Sequence, residues 1–189
     1  PAAPQLPPPG AAEHDPWVGL LRPPAELGPE SMGAARYISE TGWQRLALYL
    51  RANLDELIAL RDHPKSLSKG APIFMHTYAL PTPRDAGAGL GSGPWLWPAI
   101  LAFGIAPAEA PALATELLGR LGRLWLNAAA DAPRYPQLQV FDSASLVALE
   151  KALEGAAGES GDWVNEIHLT RGGYGKLGAA WGPAIESRL

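Results

Sequence analysis

The sequence contains no cysteine. That absence removes disulfide frameworks, thiolate metal sites and a cysteine nucleophile together. Basic residues are also few: 15 Lys and Arg face 19 Asp and Glu, giving a net charge of −4. A general nucleic-acid binder needs a basic face to release counterions, so nucleic acid is not an expected partner. No apolar run approaches the roughly 20 residues that cross a bilayer. The longest candidate, residues 94–105, is broken by Pro98 and Gly104. Nor does the start, proline-rich and without basic or apolar regions, read as a targeting signal. Cytoplasm and periplasm are both compatible with the chain.

Several chemical fingerprints are missing too. The glycine-rich run Gly87-Ala-Gly-Leu-Gly-Ser-Gly93 has no following Lys-Ser/Thr and opens no helix, so it is not a phosphate loop. Ser92 has Leu90 where a nucleophile elbow needs glycine. The run reads instead as a lid or hinge. No histidines share a helix at i, i+4 and no carboxylates cluster around them, so neither a metal nor another cofactor is expected.

What is present suits one domain: 189 residues, 47% apolar and 18% charged, enough to form a core. Gly 21 and Pro 20 assign much of the chain to loops. Residues 1–35 hold nine prolines and form an extended lead segment, pinned by an apolar knot at Trp17, Val18, Leu20 and Leu21. Residues 36–189 form the body.

Hydrophobic spacing predicts a helix over residues 41–62, with Trp43, Leu46, Ala47, Leu50, Leu54, Leu57 and Ile58 on one stripe. Thr41 and Gln44 fit a capping box. Residues 71–78 read as a strand buried on both faces, and residues 79–107 as a long loop carrying Trp95, Trp97 and Phe103. A second helix is expected over 108–129 and a second strand over 138–142. Ser143 would cap a third helix carrying Leu146, Leu149 and Leu153. Thr170 would cap a last one, with Tyr174, Leu177, Trp181 and Ile185 inward. Alternating strands and helices predict a parallel sheet covered on both faces. Two strands do not complete such a sheet. Together with a start at Pro1, without Met, this leads us to expect a piece of something longer. One edge of the Ile73 strand and the stripe of the first long helix should then need a partner.

Of the four histidines, His14 and His63 read as solvated. His76 lies near the C-terminal end of a parallel strand, where open α/β sheets place ligands. His168 precedes a helix cap in a segment dense with functional side chains. For either, the bland alternative is a histidine tying a loop to backbone carbonyls.

The segment Asp162-Trp-Val-Asn-Glu-Ile-His168-Leu-Thr-Arg-Gly-Gly-Tyr174-Gly-Lys-Leu177 resembles the last conserved block of SGNH (GDSL-type) hydrolases, in a bacterial branch reading Trp-x-Asn-Glu-Ile/Leu-His-Pro-Thr. Ile73-Phe-Met-His-Thr-Tyr-Ala-Leu-Pro81 is similar to that branch's His-x-Tyr-x-x-Pro strand, Gly93-Pro-Trp-Leu96 to its aromatic loop, and Val140-Phe-Asp-Ser to its last strand. The resemblance runs from about Thr41 to the C-terminus. It implies a flavodoxin-like α/β sandwich that cleaves esters through a Ser-His-Asp arrangement. The family's Gly-Asp-Ser and Gly-x-Asn-Asp blocks are absent, so the resemblance implies the last strands and helices of that domain. The nucleophilic serine and oxyanion donors would lie on an N-terminal segment of the same protein. His168 is then the general base. Asp162, Asn165 and Glu166 are candidates to orient it, Asp162 being preferred; Asn165 stands where the family usually has Asp, and Leu169 where it has Pro. His76, Tyr78, Trp95 and Trp97 would wall a pocket for a small-molecule or lipid-like ester. The alternatives are a non-catalytic ligand-binding domain on the same fold, and an acyltransferase with a water-excluding lid.

Overall fold

The structure, a computed structural model, describes residues 19–87 and 93–189. His14, Trp17, Val18 and the centre of the Gly87–Gly93 run lie outside the described residues.

Leu21 and Ile38 form an antiparallel bridge, and the Ser39 amide donates to Leu20 O at 2.9 Å. This clasp fixes where the chain turns into helix α1 (Glu40–Arg61). The cap is therefore Ser39, whose Oγ accepts the Gly42 amide at 3.1 Å, and not the expected Thr41 box. Gly42 is required there: a Cβ would stand 2.0 Å from Gly19 O. On the inner side of α1, Ala47, Leu54 and Ile58 are buried. Leu57, expected on the same stripe, is 48% exposed, because it lies at the stripe's margin where neither sheet nor helix covers it. At the end of α1, the buried Arg61 guanidinium donates to Ala71 O (3.1 Å) and Pro136 O (2.8 Å), joining the entrances of both strands.

Strand β1 (Ile73–His76) pairs in parallel with β2 (Leu138–Phe141), Ile73 opposite Leu138. Between them the chain forms α2 (Trp97–Ala102), inside the stretch expected to be loop, and α3 (Ala110–Ala130). Alternation decides the layers. Ile73, Met75, Leu138 and Val140 join Leu54, Ile58, Trp125 and Ala128 on the α1–α3 side. On the opposite face Trp181 of α5 (Arg171–Glu186) meets His76 edge-on at 4.7 Å and stacks on Phe141 at 6.4 Å. The protein is thus mixed α/β, with helices on both faces of a parallel sheet that has two strands among the described residues. Every β1 residue is only half-buried, short of the burial expected for an interior strand. Ile73 and Thr77 donate towards β2, so Phe74 and His76 direct their backbone groups to the free edge.

A second core joins Leu21, Tyr37 and Ile38 to Ile100, Ile105 and Leu113, packing the lead segment onto α2 and α3. Burying each large aliphatic side chain of these cores contributes about 1.5–3 kcal/mol.

The third helix departs most from expectation. After β2 it makes one turn, α4 (Ser143–Leu146), and Val147 is already extended. The reason lies in long-range bonds that draw the following chain away. The Glu150 amide donates to Asp162 Oδ2 at 2.6 Å, and the Asp162 amide returns to Glu150 O at 3.0 Å. Leu146 and Leu153 are left exposed. Thr170 caps α5 as expected, its Oγ1 accepting the Gly173 amide at 3.0 Å, while Tyr174 is exposed instead of inward.

Candidate functional site

Residues 162–170 form a tight loop ahead of α5. Gly161 enters it at φ +57°, and a Cβ there would meet Lys151 O at 2.5 Å. Trp163 is bridged to both Ser160 and Leu169. Asn165 organises the tip. Its Oδ1 accepts the amides of Ile167 (2.9 Å) and His168 (2.8 Å), an Asx-type turn. The same side chain reaches the imidazole: Nδ2 lies 3.0 Å and Oδ1 3.2 Å from His168 Nδ1. Asn165 is buried and His168 exposed, so the ring is held from below and open above.

Asp162, the preferred partner from sequence, is engaged elsewhere. Its carboxylate accepts the Glu150 amide and Lys176 Nζ, each at 2.6 Å. The Lys176 ammonium holds it below the usual carboxylate range, assisted by that amide. Asp162 clasps the loop to α5 and to residue 150, and the residue at His168 is Asn165. Spacing explains this: an Asx turn reaches three residues, whereas a side chain six residues away lies on the other side of the bridge.

Glu166 is wholly buried, at 0% exposure. Its Oε1 accepts the amides of Arg84 (3.3 Å) and Trp97 (2.8 Å); its Oε2 accepts those of Trp95 (2.5 Å) and Leu96 (2.6 Å). Burial pushes this carboxyl upward while the four amides pull it down, burial prevailing. Arg84, also 0% exposed, donates to the carbonyls of Ala156 (2.6 Å), Gly158, Trp163 and Asn165 (2.9 Å). Glu166 and Arg84 together lock the His168 loop to the start of α2. Arg84 carried no signal in the sequence; a lone arginine after prolines reads as surface.

The C-terminal ends of the two strands meet nearby. His76 Nδ1 lies 2.7 Å from Thr77 O and 3.0 Å from Ser143 Oγ, and the Ser143 hydroxyl donates to Thr77 O. A ring that donates from Nδ1 to a carbonyl does not accept the serine's proton there. Ser143 is therefore a strand-end clasp and not an activated nucleophile. Tyr78 donates to Ile167 O, and burial, aided by Tyr174, raises its phenol to about 12. His76, Tyr78 and Ser143 line a cavity of about 120 Å3 with Val147, Leu149, Trp163, Ile167, Leu169, Tyr174 and Leu177.

The two tryptophans expected in that wall are not in it. Trp97 packs against the core under α2, and Trp95 is 42% exposed. Both are displaced because Glu166 grips their backbone, which orients the loop by its amides and leaves the rings to follow. The expected four-residue wall thus divides, His76 and Tyr78 lining the cavity and Trp95 and Trp97 lying apart from it.

Among the described residues no group of three or more His, Asp or Glu is placed to hold a metal ion. No helix among them is long and apolar enough to cross a membrane. Chemically, the loop offers one exposed imidazole with its Nδ1 tethered and its other nitrogen available, beside a small, mostly apolar cavity. Comparison with protein-family models, with curated proteins and with solved structures returns no match to this chain.

Proposed function

We propose that this chain is the C-terminal part of an SGNH-type ester hydrolase, a flavodoxin-like sandwich whose remaining strands come from a preceding segment. His168 acts as general base. Its Nε2 takes the proton of a serine hydroxyl, supplied by that segment, as the oxygen attacks the ester carbonyl. It then returns the proton to the leaving alcohol, and water repeats the cycle on the acyl-enzyme. The observation that carries this reading is the Asn165–His168 pairing on a loop rigidified by buried Glu166 and Arg84. The sheet supports it too, because two strands among the described residues are fewer than a parallel sheet ordinarily has.

One observation favours a second reading, a ligand-binding domain on the same fold. Asn165 Oδ1 already accepts two amides, and Nδ2 is the nearer atom to Nδ1. An amide donating to Nδ1 selects the tautomer with its proton on Nε2, which donates and does not abstract. Catalysis requires Nδ1–H to share Oδ1 instead.

A fluorophosphonate probe on the intact protein, read by mass, tests the proposal. A label on a serine preceding this chain, lost in His168→Ala, supports hydrolysis. A label on Ser143 would overturn the assignment, and a folded protein that takes no label favours the binding domain.

A further inference from the structure

The cavity behind the His168 loop has dimensions and chemistry that narrow the ligand. Its volume is about 120 Å3. An apolar cavity of about 150 Å3 holds benzene, so this one accommodates about five non-hydrogen atoms. Its wall is aliphatic at Val147, Leu149, Leu169 and Leu177, and among the described residues no Asp, Glu, Lys or Arg lines it. A charged ligand would be desolvated there without a partner.

The polar groups in the wall are mostly taken. Tyr78 donates to Ile167 O, Ser143 donates to Thr77 O, and His76 Nδ1 faces both Thr77 O and Ser143 Oγ. Trp163 lines the cavity at 2% exposure, and its indole Nε1 is buried without a hydrogen-bond partner among the described residues. Ile167 and Leu169, the neighbours of His168, both contribute to the wall, so the cavity opens beside the imidazole's own backbone.

We propose that this cavity takes the short, neutral acyl end of an ester, two to about five carbon atoms long, packed against the Trp163 ring and the aliphatic wall. The inference rests on the hydrolase reading for its substrate, but its test reads binding alone.

The test is titration of the 15N-labelled protein with ethyl butanoate and, separately, ethyl octanoate, following the Trp163 indole resonance assigned through Trp163→Phe. The expected result is a saturable shift with ethyl butanoate and a Kd at least tenfold weaker for ethyl octanoate. Leu177→Phe, which fills the cavity, should abolish the shift while leaving the rest of the spectrum dispersed. Should that variant fail to fold, the chain-length comparison on the wild type still decides. No saturable shift with ethyl butanoate, or equal affinity for both esters, overturns the proposal. A shift in a protein that no fluorophosphonate labels keeps the cavity's ligand and discards hydrolysis, so the two failures are distinguishable.

Discussion

Replacing Glu166 with glutamine changes almost no volume and removes half of the acceptor capacity at the centre of the site. The amide oxygen can keep the Arg84 and Trp97 donors, which the wild type holds on Oε1. The new NH2 then faces the amides of Trp95 and Leu96, formerly accepted by Oε2 at 2.5 and 2.6 Å. Two part-buried donors lose their partner, each at up to about 1–3 kcal/mol. Burial already works against the charged carboxylate and raises its pKa, so the net loss belongs in the lower half of that sum, about 3 kcal/mol. For a domain of this size that lowers Tm by roughly 6–12 °C. The sign with pH follows from linkage. A carboxyl raised on folding binds its proton more tightly in the native state, so its contribution is largest below the ordinary carboxyl range and is lost as pH rises through the raised value. Glutamine lacks that slope, and a protonated Glu166 still offers lone pairs on both oxygens. The wild-type advantage is therefore greater at pH 4 than at pH 8. Urea unfolding of both proteins at the two pH values measures it. A difference under about 1 kcal/mol at both, or one that grows with pH, refutes the account of Glu166 as a four-amide acceptor.

Further consequences concern the same loop. Gly161→Ala combines a left-handed φ of +57° with a Cβ 2.5 Å from Lys151 O, so it should destabilise by at least about 1–3 kcal/mol in denaturant titration. Asp162→Asn removes a carboxyl whose pKa Lys176 depresses; its contribution is present above the unfolded value and lost as pH falls through the folded one. That variant should show a flatter acid limb than the wild type in thermal melts between pH 5 and pH 2, while the His168 ring resonances stay in place. Tyr78→Phe deletes the bond to Ile167 O and should raise hydrogen exchange in residues 165–169 ahead of the rest of the chain.

The sequence made the layers legible because they follow from periodicity. The α1 stripe and the Thr170 cap are local patterns, and the parallel pairing follows from the alternation of strands and helices along the chain. What it concealed was long-range. Nothing in Ser143-Ala-Ser-Leu indicates that the helix ends after one turn, since Asp162, far along the chain, captures the Glu150 amide. The site was legible in part, as His168 and Asn165 lie three apart and meet through an Asx turn. Asp162 and Glu166 read as interchangeable carboxylates until their partners are known: an ammonium for one, four amides for the other. Trp95 and Trp97 read as wall because aromatics in a loop suggest a pocket, yet their placement is dictated by backbone groups that carry no side-chain signature.

The claim that His168 is a general base tethered by Asn165 is tested most directly by hydrolysis of p-nitrophenyl acetate by the intact protein and two variants. His168→Ala should lose about 10²–10⁴ in kcat. Asn165→Asp, which adds an anionic acceptor and restores Nδ1–H as the donor, should retain or raise kcat and move the acid limb of the pH profile to higher pH. A wild type without turnover above buffer, or an Asn165→Asp variant that falls as far as His168→Ala, would contradict it.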